Sequence, residues 1–273
     1  MSETHDTLRR ILVALDPADP RSEIFSALAA LLEGPGAELR GLYVEDERLF
    51  RLASLPCARE VRISIRGPRA LSVIELQRDV DESATQVREA FEAEARRLRI
   101  RHSFSVRRGD VLGVIRSEAT ENDLLVIGRS IKSAGTRTWH GITVARIAEH
   151  PASSLLFVNE PWESGHHVAV LMDSSRGARR GLQMGVQLAE REGLDLSVFI
   201  LPGQEALEEL PRRAEQRTLA GVDNARLALL CRELDARMLI LTDSAAVRRH
   251  IDLAALIEAL PTSIILVPSH AQS

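Results

Sequence analysis

Short apolar runs alternate along the chain with stretches of helical spacing, and this pattern predicts strand, helix, strand from the start. Ile11-Leu12-Val13-Ala14-Leu15 ends in Asp16 and reads as a buried strand, after which Ile24, Leu28, Leu31 and Leu32 recur as on one helix face. Gly34-Pro35-Gly36 stops that helix. An extended run over 37–44 then ends at Val44, and the acidic Glu45-Asp46-Glu47 reads as a solvated strand exit. From Val73 to Leu98 the apolar positions Val80, Ala84, Val87, Phe91 and Ala95 stand among charges, as on a long surface helix. His102–Val106 reads as a strand, and Val111, Val114, Ile115 and Ala119 mark a helix. Asp123 to Gly128 is the near-continuous apolar run expected of a parallel strand buried on both faces. A helix over Ile142–His150 stops at Pro151 and leads into the strand Leu155–Val158.

The plan then repeats. A strand from His167 ends in Asp173, Ser174-Ser175 makes a turn, and Gly181, Leu182, Val186 and Leu188 lie on a helix. Leu194–Ile200, Gln216–Leu219, Met238–Leu241 and Ile264–Val267 read as strands, with a helix over Val222–Leu234. A repeat of about 110–160 residues is too long for a solenoid unit and indicates a duplicated domain. The connector near Asn159–His166, with Pro161 and Gly165, divides the chain into 1–159 and 160–273. The fold class is α/β: two tandem doubly wound parallel-sheet sandwiches, the second shortened. In such a sheet the ligand crevice lies beyond the strand C-termini where the strand order reverses, which is where Asp16, Val44 and Gly128 fall. An insertion at about 48–71 sets Phe50, Leu52, Leu55, Val61, Ile63 and Ile65 among arginines. It is too apolar for an idle loop, and lid, interface and self-packing all remain open for it.

Composition narrows the function classes. With 45% hydrophobic and 27% charged residues a packed globular core is expected. No apolar run nears the roughly 20 residues of a membrane helix, and the N-terminus lacks a signal peptide's pattern, so a cytoplasmic protein without membrane contact is expected. A net charge of -4 and 3% aromatic residues argue against a nucleic-acid partner. Cys57 and Cys231 show no ligand-like spacing and read as ordinary thiols. His166 and His167, adjacent on an extended segment, point to opposite sides and make no metal pair. No nucleophile elbow, Walker loop or zinc-protease pair is present, so neither catalysis nor a metal is expected.

These residues resemble the universal stress protein family, whose sandwich is of the adenine nucleotide alpha hydrolase type, and the likeness covers nearly the whole chain as two tandem domains. Nucleotide-binding members carry a glycine, two residues, a glycine, nine residues, then glycine and Ser or Thr. Gly128 and Gly141 match that pattern, and Asp16 corresponds to the acid lining the adenosine pocket. Ile131 and Ile142 take the middle-glycine and hydroxyl positions, with Thr143 one residue later. Isoleucine bars the close backbone approach that glycine permits and offers no hydroxyl. Arg129, Lys132 and Arg137 remain as positive charges, and His140 and Trp139 lie in the same stretch. The resemblance thus outlines a candidate crevice of Asp16, Val44, Gly128, Arg129, Gly141 and Thr143 for ATP or AMP in the first domain only. In the second half Thr242 replaces the strand-end glycine, and the interval to Pro261 has no glycine and is five residues shorter than Gly128 to Ala152. That half is expected to bind no nucleoside triphosphate. Family members associate through the last strand, which implies that Leu155–Val158 and Ile264–Val267 meet in an internal pseudo-dimer; a further homodimer is left open. The function implied is non-enzymatic stress-linked regulation or scaffolding through unidentified protein partners, with nucleotide binding weak or lost. The alternative is an adenine-nucleotide sensor, and a binder of another small anion or metabolite stands third.

Overall fold

The computed structural model describes residues 9–15, 23–32, 37–60, 69–119, 124–128, 138–139, 142–149, 151, 153–159, 161–162, 164–205, 207 and 214–269. In the first half the apolar runs become strands β1 (Arg10–Ala14), β2 (Glu38–Asp46), β5 (Arg101–Gly109), β6 (Leu124–Gly128) and β9 (Ser154–Val158). Between them lie helices α1 (Ile24–Leu31), α2 (Glu47–Ala53), α3 (Val73–Arg97), α4 (Val111–Ala119) and α5 (Val144–Ala148). Two small hairpins complete this half: β3 (Arg59–Glu60) with β4 (Arg69–Ala70), and β7 (Thr138–Trp139) with β8 (Ile142–Thr143). The second half holds β10 (His167–Met172), α6 (Arg176–Glu192), β11 (Asp195–Ile200), β12 (Ala214–Thr218) and α7 (Asn224–Glu233). It ends with β13 (Ala236–Asp243), α8 (Ala245–Arg248), α9 (Leu253–Ala259) and β14 (Ser263–Pro268).

All but the hairpin strands form one sheet of ten, in the order β12-β11-β10-β13-β14-β9-β6-β1-β2-β5. Each half therefore runs third, second, first, fourth, fifth strand, parallel throughout, as right-handed crossovers require. The halves join at their last strands, β9 and β14, which pair antiparallel with Leu155 opposite Leu266, Leu156 opposite Ile265 and Phe157 opposite Ile264. This is the pairing that the resemblance implied, and it covers two strand edges that would otherwise template aggregation. The seam is not symmetric in its hydrogen bonds. Asn159, just past β9, donates its backbone N–H to Ser263 Oγ at 2.9 Å, and its side-chain amide donates to the Pro261 carbonyl. The equivalent position past Val267 is Pro268, which has no N–H. Ser154 Oγ, the counterpart of Ser263 Oγ, accordingly has no partner among the described residues.

Alternate side chains of each strand feed two cores. On one face Ile11, Val13, Val168 and Val170 pack under α1, α3 and α6, with Phe25, Phe91 and Met184 filling the layer. On the other, Leu12, Ala14, Ala169 and Leu171 pack under α4, α5, α7 and α9. Both layers cross the seam. Trp162 is buried beside α1, its backbone N–H donating to the Glu23 carboxylate, and Arg191 of α6 reaches the Leu32 carbonyl. Across the sheet Arg248 donates to the Glu149 carbonyl at 2.9 Å. α6 starts on a Ser175 cap whose Oγ accepts from Ala178 N–H and stops at Gly193, whose φ of 67° suits glycine.

Three expectations change. β2 runs on through Glu45 and Asp46, both buried, so the acidic run is not a solvated exit. Residues 142–143 are a strand of the β7–β8 hairpin, and the helix expected from Ile142 begins at Val144. Thr143 therefore stands in a strand rather than at a helix entry. The unassigned stretch after β2 holds α2 and the β3–β4 hairpin.

Candidate functional site

Parallel strands deliver their C-terminal ends to one rim of the sheet, and in each half the order reverses between the first and fourth strands. In the first half that gap lies between β1 and β6. Ala14 pairs with Leu42 on one side and Ile127 on the other, so beside the end of β1 stand Gly128, the last residue of β6, and Val44, two residues short of the end of β2. Val44 is fully buried and Gly128 half-buried. The register thus brings these two of the sequence-derived residues to one rim. Asp16, Arg129 and Gly141 lie outside the described residues, as do Ile131, Lys132, Arg137 and His140.

The adjoining end of β2 is built from neutralised charge. Glu45 pairs with Arg108 of β5 at 2.7 Å, and the Arg108 guanidinium lies 4.1 Å from the centroid of the Phe50 ring. Asp46 caps α2 by accepting from Arg48 N–H at 2.9 Å and also binds the Arg48 guanidinium at 2.7 Å. The two carboxylates meet a guanidinium each, which neutralises the negative charge at this end of β2.

In the second half the gap lies between β10 and β13, and side-chain hydrogen bonds cross it. Asp173 follows β10; Thr242, on β13, donates its hydroxyl to Asp173 Oδ2 at 3.0 Å, and Ser244 donates to the same oxygen. Ser175 N–H donates to Oδ1 at 2.8 Å. Burial pushes the carboxyl's pKa up, and the hydrogen bonds from Ser175, Ser244 and Thr242 more than offset it, leaving it below the usual carboxylate range. The sequence marked Asp173 only as the end of its strand, without its partners Thr242 and Ser244. The available signal was a pair of hydroxyls at the end of the fourth strand, opposite an acid at the end of the first. In the first half a glycine, Gly128, takes the position of Thr242, so that bond has no counterpart there.

Beside this lock an open cleft of about 330 Å3 is lined by Asp173, Arg179, Ile200, Gln204, Glu205 and Leu207. It lies over the β10 and β11 ends, with Asp173 on its wall. Another hollow of about 340 Å3 sits at the seam between Ala148 and 248–254. Among the described residues no cluster of three His, Cys, Asp or Glu side chains could hold a metal. His166 and His167 approach different acids, Asp235 at 3.8 Å and Asp195 at 3.9 Å, in keeping with their opposite directions. Cys231 is buried, which pushes its thiol up to about 12, and Cys57 is exposed. Among the described residues no helix is long and apolar enough to cross a membrane.

No known protein-family model matches this chain, and no curated protein matches it either. Solved structures do. A universal stress protein from Archaeoglobus fulgidus superposes with a TM-score of 0.65 at 11% identity, over 95% of this chain and 96% of that one. A putative universal stress protein from Pseudomonas aeruginosa gives 0.54 at 12% identity, over 96% and 93%. The cytoplasmic domain of a prokaryotic cation chloride cotransporter gives 0.51 at 10% identity, over 97% of each. The chain has the universal stress protein fold, built twice in tandem. A fold found both in stress proteins and on a transporter does not itself name a function.

Proposed function

We propose that this protein is a non-enzymatic regulatory or scaffold protein of the stress response that acts through protein contacts, with nucleotide binding weak or lost. The observation that carries the reading is the state of Asp173. Its carboxylate is occupied by Thr242, Ser244 and Ser175 of its own chain, and those bonds span the gap where a nucleotide would enter the second half. Ile131 and Ile142 at the glycine and hydroxyl positions of the first-half loop support the same reading. The two domains are taken as 1–159 and 160–273, and the crevice of the first as Asp16, Val44, Gly128, Arg129, Gly141 and Thr143. Catalysis has no part in this reading, and no metal or cofactor is required.

One observation favours a second reading. Gly128 stands where Thr242 stands in the other half, so the first crevice lacks that bond of the lock. A sensor binding ATP or AMP in the first domain alone would use that crevice. A thermal-shift titration with ATP, ADP and AMP separates the two. A ligand that binds only the folded state adds RT ln(1 + [L]/Kd), about 2.7 kcal/mol at a hundred times Kd. The scaffold reading predicts no shift at millimolar nucleotide. A saturable shift that Gly128→Val removes would establish the sensor instead.

A further inference from the structure

The cleft beside Asp173 gathers opposite charges without pairing them. Its inner side is made of buried residues: Met172 at the end of β10, Asp173 just past it, and Ile200 at the end of β11. Arg179 lines it from α6 and Glu205 from the loop after β11, both exposed. Neither makes a hydrogen bond or an ion pair with another described residue. In the first half the acid near the end of the second strand, Glu45, has Arg108 at 2.7 Å; Glu205, after the corresponding strand, has no such partner among the described residues. Asp173 adds a second negative charge. Its own chain takes its hydrogen bonds and thereby keeps it ionised, with a pKa below the usual carboxylate range. The outer wall is fixed in advance. Leu207 donates its N–H to Gln216 Oε1 at 3.1 Å and its carbonyl accepts from Gln216 Nε2 at 3.2 Å, which ties the loop to β12. The turn before it passes through Gly203, whose φ of 77° suits glycine, and closes with Gln204 N–H on the Leu201 carbonyl at 3.1 Å.

This lining selects among ligands. Two carboxylates against one guanidinium make the cleft net negative, which disfavours a phosphate. Among the described residues Asp173 and Glu205 have no third side chain with which to hold a metal ion. A plain amine leaves Arg179 without a counter-charge, and a plain carboxylate meets two acids. An ammonium and a carboxylate carried on one carbon satisfy both signs at once. Met172, Ile200 and Leu207 offer the rest of such a molecule an apolar surface, and a cleft of about 330 Å3 suits a small metabolite.

We propose that this cleft of the second half binds a free aliphatic α-amino acid, its carboxylate on Arg179, its ammonium on Glu205 in the field of Asp173, and its side chain against Met172, Ile200 and Leu207. This goes beyond the regulatory reading, which asks for no small ligand. The test is isothermal titration calorimetry of the full-length chain with L-leucine and with two fragments of it: 3-methylbutylamine, which lacks the carboxylate, and 4-methylpentanoate, which lacks the ammonium. Saturable leucine binding is expected, at least about tenfold tighter than either fragment. Arg179→Gln should weaken leucine about tenfold and leave the amine unchanged, whereas Glu205→Gln should weaken both about tenfold. Both positions are exposed, so the variants should melt with the wild type, and the comparison of leucine with its fragments needs no variant. No saturable leucine binding up to about 10 mM overturns the proposal. So does an amine that binds as tightly as leucine, or a leucine affinity that both variants leave unchanged. Saturable AMP binding that Arg179→Gln removes also overturns it, by placing a nucleotide in this cleft. The titration with Gly128→Val reads the first crevice and decides the wider reading separately.

Discussion

Asp173 shows how much one side chain can settle. It is 6% exposed, and removing it leaves the Thr242 and Ser244 hydroxyls without their acceptor. Asp173→Ala should cost about 1–3 kcal/mol, measured by urea unfolding at neutral pH. The pH dependence has a definite sign. Because the folded-state pKa lies below the unfolded one, the carboxylate's contribution is complete above the unfolded value and is lost as pH falls through the folded one. Asp173→Asn should therefore lose less stability on acidification than the wild type does; parallel acid profiles would contradict this. The acid was visible in the sequence as a strand-end residue, but its partners were not. They lie about seventy positions away, and only the β10–β13 register brings them together.

Among elements, α2 and α6 are set by contacts of different kinds. Arg108→Ala strands the buried Glu45 and uncovers Phe50, so α2 should loosen, with faster amide exchange over 47–53 and a stability loss of about 1–3 kcal/mol. Exchange unchanged over that helix would show that the pair does not hold it. At the start of α6, Gly177 lies against the Pro268 carbonyl, and a Cβ there would meet backbone, which cannot step aside as a side chain can. Gly177→Ala should destabilise by about 1–3 kcal/mol in the same unfolding assay, despite alanine's better helix propensity. The helices α3, α4, α6 and α7 were legible because their apolar positions repeat at helical spacing. The acidic run was misread because Glu45 and Asp46 find arginines that belong to another strand and to the next helix, and polarity alone does not reveal a paired charge. Residues 142–143 were misread because a two-residue strand has no period to detect.

For the whole molecule, the seam is continuous through all layers: β9 with β14 in the sheet, Trp162 and Arg191 on one face, Arg248 on the other. The two halves should unfold in one calorimetric transition, with calorimetric and van't Hoff enthalpies in agreement. Two resolved transitions would show that the halves are only tethered. The doubly wound α/β class was legible because the strand–helix pattern runs through the chain twice, and the meeting of the two last strands followed from the resemblance rather than from any residue at the seam; the strand order and the antiparallel sense of the junction come from the structure. The occupancy of the first crevice was not legible, because a glycine and a valine beside the end of β1 carry no mark of what binds there.

That occupancy is what mass spectrometry of the gently purified, then denatured, protein reads directly. A chain working through protein contacts should release no adenine nucleotide, or far less than one per molecule. Release of a stoichiometric ATP, ADP or AMP would contradict that and make the first half a nucleotide sensor.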